Sequence, residues 1–169
     1  MIETTDAVFP NNVVKWVALA LAGIDPEIKV YRRPLRNTDP RQSIGVHAQA
    51  WGPDQQSLEI MGIGMPAPQM PTTQEYVLGV QAFVKDAEDE RGLAVHSVLA
   101  QRVRSVLYTD ANLQVVFREL SADLGDGWLE SMRRWGVRTA RYFSGDIAGE
   151  LLYLSTLEFW IETETRRNN

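Results

Sequence analysis

Between residues 75 and 86 the apolar and polar positions separate by parity. Tyr76, Leu78, Val80, Ala82 and Val84 fall on one face, while Glu75, Gln81 and Lys85 share the other with Val77 and Phe83. A period of two in a run rich in Val, Tyr and Phe predicts a half-buried strand. Gly79 inside it suits a close backbone approach. The period then changes. Leu93, Ala94, Val95, Val98, Leu99, Val103, Val106 and Leu107 recur at three- and four-residue spacing, interrupted by Gln101, Arg102 and Arg104. This is an amphipathic helix of about five turns. Asp86, Glu88, Asp89 and Glu90 precede or open it, and carboxylates there suit the positive end of the helix dipole. A strand feeding a helix whose apolar stripe must be covered implies a sheet with a helix on one face.

The same reasoning divides the rest of the chain. Residues 10–22 form a first helix, with Pro10 in its first turn, Gly23 placed for a C-cap and Pro26 barring continuation. Val13, Val14, Trp16, Val17, Leu19 and Leu21 leave it almost no polar face, and Lys15 is its only charge. Such a helix is buried on more than one side, either in the centre of the core or against a neighbouring subunit. Residues 27–31 predict a short strand with Ile28 and Val30 inward, followed by a Pro-punctuated loop. Residues 43–51 alternate again, Ile44, Val46, Ala48 and Ala50 against Gly45, His47 and Gln49. After a turn at 52–54, residues 57–61 suggest a return strand. Residues 62–73, rich in Pro and Met, predict a protruding binding loop. Residues 113–120 suggest a further strand and 128–134 a short helix, within a loop-rich insertion around 121–149; 137–143 fit either class. Leu151, Tyr153, Leu157, Phe159 and Ile161 line one face of a long closing strand, which Ser155 interrupts. The order predicts a single α+β domain spanning 1–169, its mostly antiparallel sheet flanked by an N-terminal helix and a central amphipathic helix.

Composition narrows the functional classes. A net charge of −5 argues against general nucleic-acid binding. The chain has no Cys, which removes disulfides, thiolate catalysis and Cys-ligated metal, and fits assembly in a reducing cytoplasm. Glu3 and Asp6 stand where a signal peptide needs positive charge, and the apolar run at 13–22 is too short to span a bilayer. A soluble, intracellularly made protein is expected.

Candidate chemistry is sparse. The carboxylates at 86–90 lack the alternating ligands and central Gly of a calcium loop, so they read as a solvated helix start. His47 and His96 are the only histidines, too few for a zinc site without carboxylates. His96 falls at the edge of the helical stripe, in a packed or half-exposed position, and His47 on the polar side of its strand. Gly62-Ile63-Gly64 lacks a third Gly and a following helix, so the dinucleotide fingerprint is missing, as are the nucleophile elbow and the phosphate-binding loop. No catalytic residue, metal ligand or cofactor is therefore assigned. Charge does divide unevenly. Lys29, Arg32, Arg33, Arg36 and Arg41 face only Asp39, whereas residues 54–90 hold seven carboxylates against Lys85. A basic loop meeting an acidic surface of an identical neighbour explains both patches, and head-to-tail contacts of that kind can close a ring.

The order of segments resembles the tail terminator proteins of long-tailed (siphovirus-type) bacteriophages. The N-terminal helix, IKVYRRP, SIGVHAQAW, YVLGVQAFVKDAEDERGLAVHSVLAQRVRSVLYTD and the closing YLSTLEFWIETE carry the resemblance, with 121–149 matched least. It implies a virion structural protein of the neck: a non-enzymatic α+β subunit, without cofactor or metal, that forms a hexameric ring at the tail–neck junction. The ring would cap the tail tube, end its polymerisation and offer the joining surface to a head-side connector or stopper protein, while DNA passes through the lumen without specific binding. An acidic lumen repels phosphate, which suits that passage. Arg32, Arg33, Arg36 and Arg41 are the expected subunit interface, and Met65, Pro66, Pro68, Met70 and Pro71 the expected tube-binding loop. The rivals are another neck protein (a head-completion or stopper protein), a small enzyme built from scattered polar residues, and a nucleic-acid-binding module using the loop at 29–41.

Overall fold

The computed structural model describes residues 8–53, 72–109 and 128–167. Helix α1 (Val8–Ala22) leads into the short strand β1 (Lys29–Tyr31), then β2 (Gln42–Pro53) and β3 (Thr72–Asp86). Helix α2 (Asp89–Tyr108) follows, then β4 (Trp128–Ile147) and β5 (Glu150–Arg167). The five strands form one sheet in the order β1-β2-β3-β5-β4. Only β1 and β2 pair in parallel; the other neighbours are antiparallel. The α+β architecture, with helices at the N-terminus and in the middle of the chain, is the one the hydrophobic pattern predicts. Among the described residues no helix is long and apolar enough to cross a membrane.

Both helices lie on one face. Ile44 and Val46 of β2, Tyr76, Leu78, Val80, Ala82 and Val84 of β3, and Leu157, Phe159 and Ile161 of β5 form its buried floor. Val13, Val14, Val17, Ala18 and Leu21 of α1 pack onto it beside Leu99, Val103 and Leu107 of α2. The β3 alternation thus resolves as drawn from sequence, and α2 buries every third or fourth residue. One end of α2 is held by polar contacts. Asp86 accepts from the Glu88 N–H at 2.9 Å and forms a bidentate pair with Arg91 at 2.6 and 2.8 Å. The Tyr153 hydroxyl donates to the Asp89 carboxylate, which raises the Tyr153 pKa to about 12. Gly92 is required here, since a Cβ would stand 2.7 Å from the Tyr153 ring. The carboxylates at 86–90 are therefore partly tethered, not merely solvated.

His96 resolves an oddity of the sequence. It is buried under α2, with Nε2 3.1 Å from the hydroxyl of Ser155, the residue that interrupts the apolar face of β5. Burial lowers the His96 pKa, against an opposing hydrogen bond with the Ala82 backbone. The two polar groups satisfy each other in the core, as buried polar groups must.

Three expectations need correction. Residues 128–134 are not a short helix, and most of the predicted loop-rich insertion is strand: β4 runs through 137–143 to Ile147. A tight hairpin makes this possible. Ile147 pairs with Glu150 across Ala148 and Gly149, both at positive φ (55° and 81°), and Asp146 accepts from the Gly149 N–H at 3.0 Å. The inward positions of β2 also change along its length. A bulge between Ala48 and Ala50 shifts the register, so Ala48 pairs with Leu78 but Ala50 with Val77, a residue of the opposite face. Both alanines are exposed. The strands expected at 57–61 and 113–120 lie outside the described residues.

Candidate functional site

The face of the sheet away from the helices holds the site. Its residues alternate with the core set: His47 and Gln49 on β2, Gly79 and Gln81 on β3, Thr156 and Glu158 on β5, Arg138 and Arg141 on β4. Register aligns them in two rows across four strands. His47, Gly79, Glu158 and Arg138 make one row, and Gly45, Gln81, Thr156 and Arg141 the next. Between them lies a cleft of about 470 Å³ lined by His47, Gln49, Gln81, Arg141, Thr156 and Glu158.

Two glycines shape this cleft. A Cβ on Gly79 would sit 2.4 Å from His47 Cε1 and 2.7 Å from Gln49 Nε2, so both β2 side chains lie down over β3 because that position is bare. The close approach anticipated at Gly79 is made by side chains, not by backbone. A Cβ on Gly45 would come 2.8 Å from both the Arg33 carbonyl oxygen and Leu35 Cγ. The loop after β1 therefore folds against the sheet at one end of the cleft, where the Leu35 N–H donates to Gln81 Oε1 at 2.7 Å. Bulges flank the arrangement on both sides, at 48–50 in β2 and between Arg138 and Arg141 in β4. Such irregularities re-aim side chains beside sites.

The electrostatics are asymmetric. His47 Nδ1 is buried and, among the described residues, has no hydrogen-bond partner, and burial lowers the His47 pKa. Glu158 meets Arg138 at 3.3 Å, and that guanidinium also lies 5.7 Å from the centre of the Trp160 ring. Arg141 lies opposite Thr156 instead. With His47 neutral, Arg138, Arg141 and Glu158 give the cleft one net positive charge on a chain whose own net charge is −5.

The four arginines expected at a subunit interface lie beside this region but do not act together. Arg33 forms a bidentate pair with Asp39 at 2.6 and 2.9 Å and stacks over Tyr31 at 4.2 Å. The Arg33 hydrogen bonds hold the Asp39 carboxyl below the usual carboxylate range, helped by the Arg36 backbone N–H. Arg41 reaches Glu150 at 2.9 Å. These two are thus engaged within the chain. Arg36 is exposed, and Arg32 lines a groove of about 290 Å³ with Lys15, Ala18, Leu19, Ala22 and Val30. Met65, Pro66, Pro68, Met70 and Pro71 lie outside the described residues.

Sequence reasoning put His47, Gln49, Gln81 and Glu158 on polar faces without joining them, and missed Arg141 and Thr156. The usable signal was the pairing of two alternating segments, but strand neighbours are not written in a single strand. Among the described residues no group of three or more His, Asp or Glu side chains is placed to hold a metal ion. No family model matches this chain, and no curated protein matches it in sequence.

Proposed function

We propose that this chain is the tail terminator subunit of a long-tailed bacteriophage. It forms a ring of like subunits, six in the arrangement that the resemblance implies, at the junction of tail and neck. The ring caps the tail tube, ends its polymerisation and presents a joining surface to the head-side connector; DNA passes through its lumen. No covalent chemistry is part of this role.

One observation carries the reading: the order of elements. An N-terminal helix, a short strand followed by a Pro-containing basic loop, a long antiparallel pair, a central amphipathic helix and a closing aromatic strand occur in the resemblant sequence order. Among the described residues they assemble into one sheet with both helices on one face, the α+β class which that resemblance implies. Surface composition adds support. Leu19, Leu93, Val98, Tyr108, Tyr142, Phe143 and Ile147 are 41–54% exposed, apolar area suited to burial against other subunits.

The test is assembly. Purified protein added to its polymerising tube protein should give tubes of limited length with a ring at one end by negative stain. Tubes that grow unchecked at equimolar protein would reject the reading. Scattering mass measured with and without tubes separates a subunit that rings alone from one that rings only on a tube end.

A further inference from the structure

The arginines of the β4–β5 hairpin follow a rule that one of them breaks. Arg133 meets Glu164 at 3.7 Å, Arg134 meets Glu162 at 2.6 Å and Arg138 meets Glu158 at 3.3 Å. Each of these three arginines of β4 thus has a glutamate of β5. Beyond the β4 bulge, Arg141 arrives opposite Thr156, and among the described residues no carboxylate pairs with it. The Arg141 guanidinium borders the polar cleft.

The other lining groups are mostly donors. The Oε1 of Gln81 is taken by the Leu35 N–H, which leaves the amide NH₂ of Gln81 to donate. Gln49 carries a second amide, Thr156 a hydroxyl, and His47 a buried ring nitrogen without a partner. The single carboxylate in the lining among the described residues, Glu158, is already matched by Arg138. Donors in excess, one positive charge left over and a concave polar floor define what fits: a small oxyanion. A guanidinium fork favours the planar carboxylate, which it can hold through two parallel N–H donors.

We propose that the cleft on the open face of the sheet is a carboxylate-binding site anchored by Arg141, with Thr156, Gln49 and Gln81 as neutral donors and His47 as a proton-dependent one. The carboxylate comes either from a free small acid or from an acidic side chain of a second copy of this chain. The site stands on its own geometry and does not depend on the terminator reading.

Proton coupling follows from the groups that face His47. These are Gln49, Gln81 and Thr156, which do not titrate, the Glu158–Arg138 pair, which cancels, and Arg141. Among the described residues nothing compensates an imidazolium there, and burial disfavours the charged ring. A bound carboxylate supplies the missing counter-charge, so it raises the His47 pKa, and binding tightens as pH falls.

The experiment is a titration of the full chain with malonate, followed through the imidazole carbon–proton signals. Inorganic phosphate, and chloride at matched ionic strength, are run alongside. His96, buried beneath α2, provides an internal reference. A saturable shift of His47 with malonate is expected, stronger at the lower pH. Arg141→Gln should weaken binding about tenfold or more, the loss of a charge-assisted pair. Arg141→Lys should fall between, and Arg133→Gln should leave binding unchanged. No saturable shift with malonate or phosphate beyond that with chloride would overturn the proposal, as would full affinity in a folded Arg141→Gln variant. Scattering mass then identifies the source. If malonate and Arg141→Gln both lower the mass, a second copy supplies the carboxylate; if binding is saturable and the mass constant, the ligand is a free acid.

Discussion

The two faces of this sheet are built from the same strands by the same alternation, yet they obey different rules. On the helix side, Ile44, Val80, Phe159 and Ile161 are fully buried, and their contribution comes from area removed from water. On the open side, His47, Gln81, Thr156 and Glu158 are only part-buried, and position matters more than area. A core tolerates change in proportion to volume. A polar face depends on which group stands opposite which, and register alone decides that. Gly79 shows the point: it belongs to the most regular strand, but its absent side chain is what lets His47 and Gln49 lie across the sheet.

Substitutions on the two faces should therefore differ in size and in kind. Phe159→Ala, at a fully buried position, should cost about 3–5 kcal/mol in denaturant unfolding, the usual range for removing a core ring. A loss below ~1 kcal/mol would mean that the helix layer is loosely packed. Gly79→Ala adds one methyl group to the open face and should cost about 1–3 kcal/mol, because the His47 ring must move. In a double-mutant cycle, His47→Ala should recover most of that loss; purely additive costs would place the strain in the backbone of β3.

Acid should act through the covered face. Burial holds the folded-state pKa of His96 below its ordinary value of 6.5, so the neutral ring is favoured in the native state. The resulting stability is complete above pH 6.5 and declines as pH falls through 6.5 toward the lowered folded value. Unfolding midpoints taken across this window should fall with pH, and His96→Gln should flatten the slope, while His47, whose pKa burial also lowers, leaves a residue of it. An unchanged slope in His96→Gln would separate the acid response from this face. The smallest effect belongs to the exposed ladder. Arg138→Ala should change stability by no more than about 0.5 kcal/mol at moderate salt, since surface ion pairs contribute little. A larger loss would show that stacking on Trp160, and not charge, holds this arginine.

Legibility followed locality. The core strand over 75–86 and the helix at 89–108 were readable because each carries a strong period over ten or more residues, whereas the first residues of β3, Thr72 and Thr73, fell in the expected loop. His96 and Ser155 were each visible as blemishes on an apolar face, but their 3.1 Å contact spans residues 59 apart in sequence. β4 was misjudged at its start because Trp128, Leu129 and Met132 have spacing compatible with a helical turn. Pairing with β5 overrides that preference, and the turn that enforces pairing, Ala148-Gly149, lacks the Asn-Gly or Asp-Gly signature by which such hairpins announce themselves. Of the expected basic interface, the clustering of arginines was legible and their partners were not. Asp39 lies six residues from Arg33, but Glu150 lies far along the chain from Arg41.

By itself, the sequence determined which residues must leave water and in what local form, because hydrophobic period and chain stiffness act over a few residues. Only the tertiary structure decided which polar groups face one another across the strands. That depends on strand order, on the bulges of β2 and β4 and on the bare surfaces of Gly45 and Gly79. An arginine becomes a paired surface charge or an unpaired anchor according to the neighbour it meets, and neighbours belong to the fold.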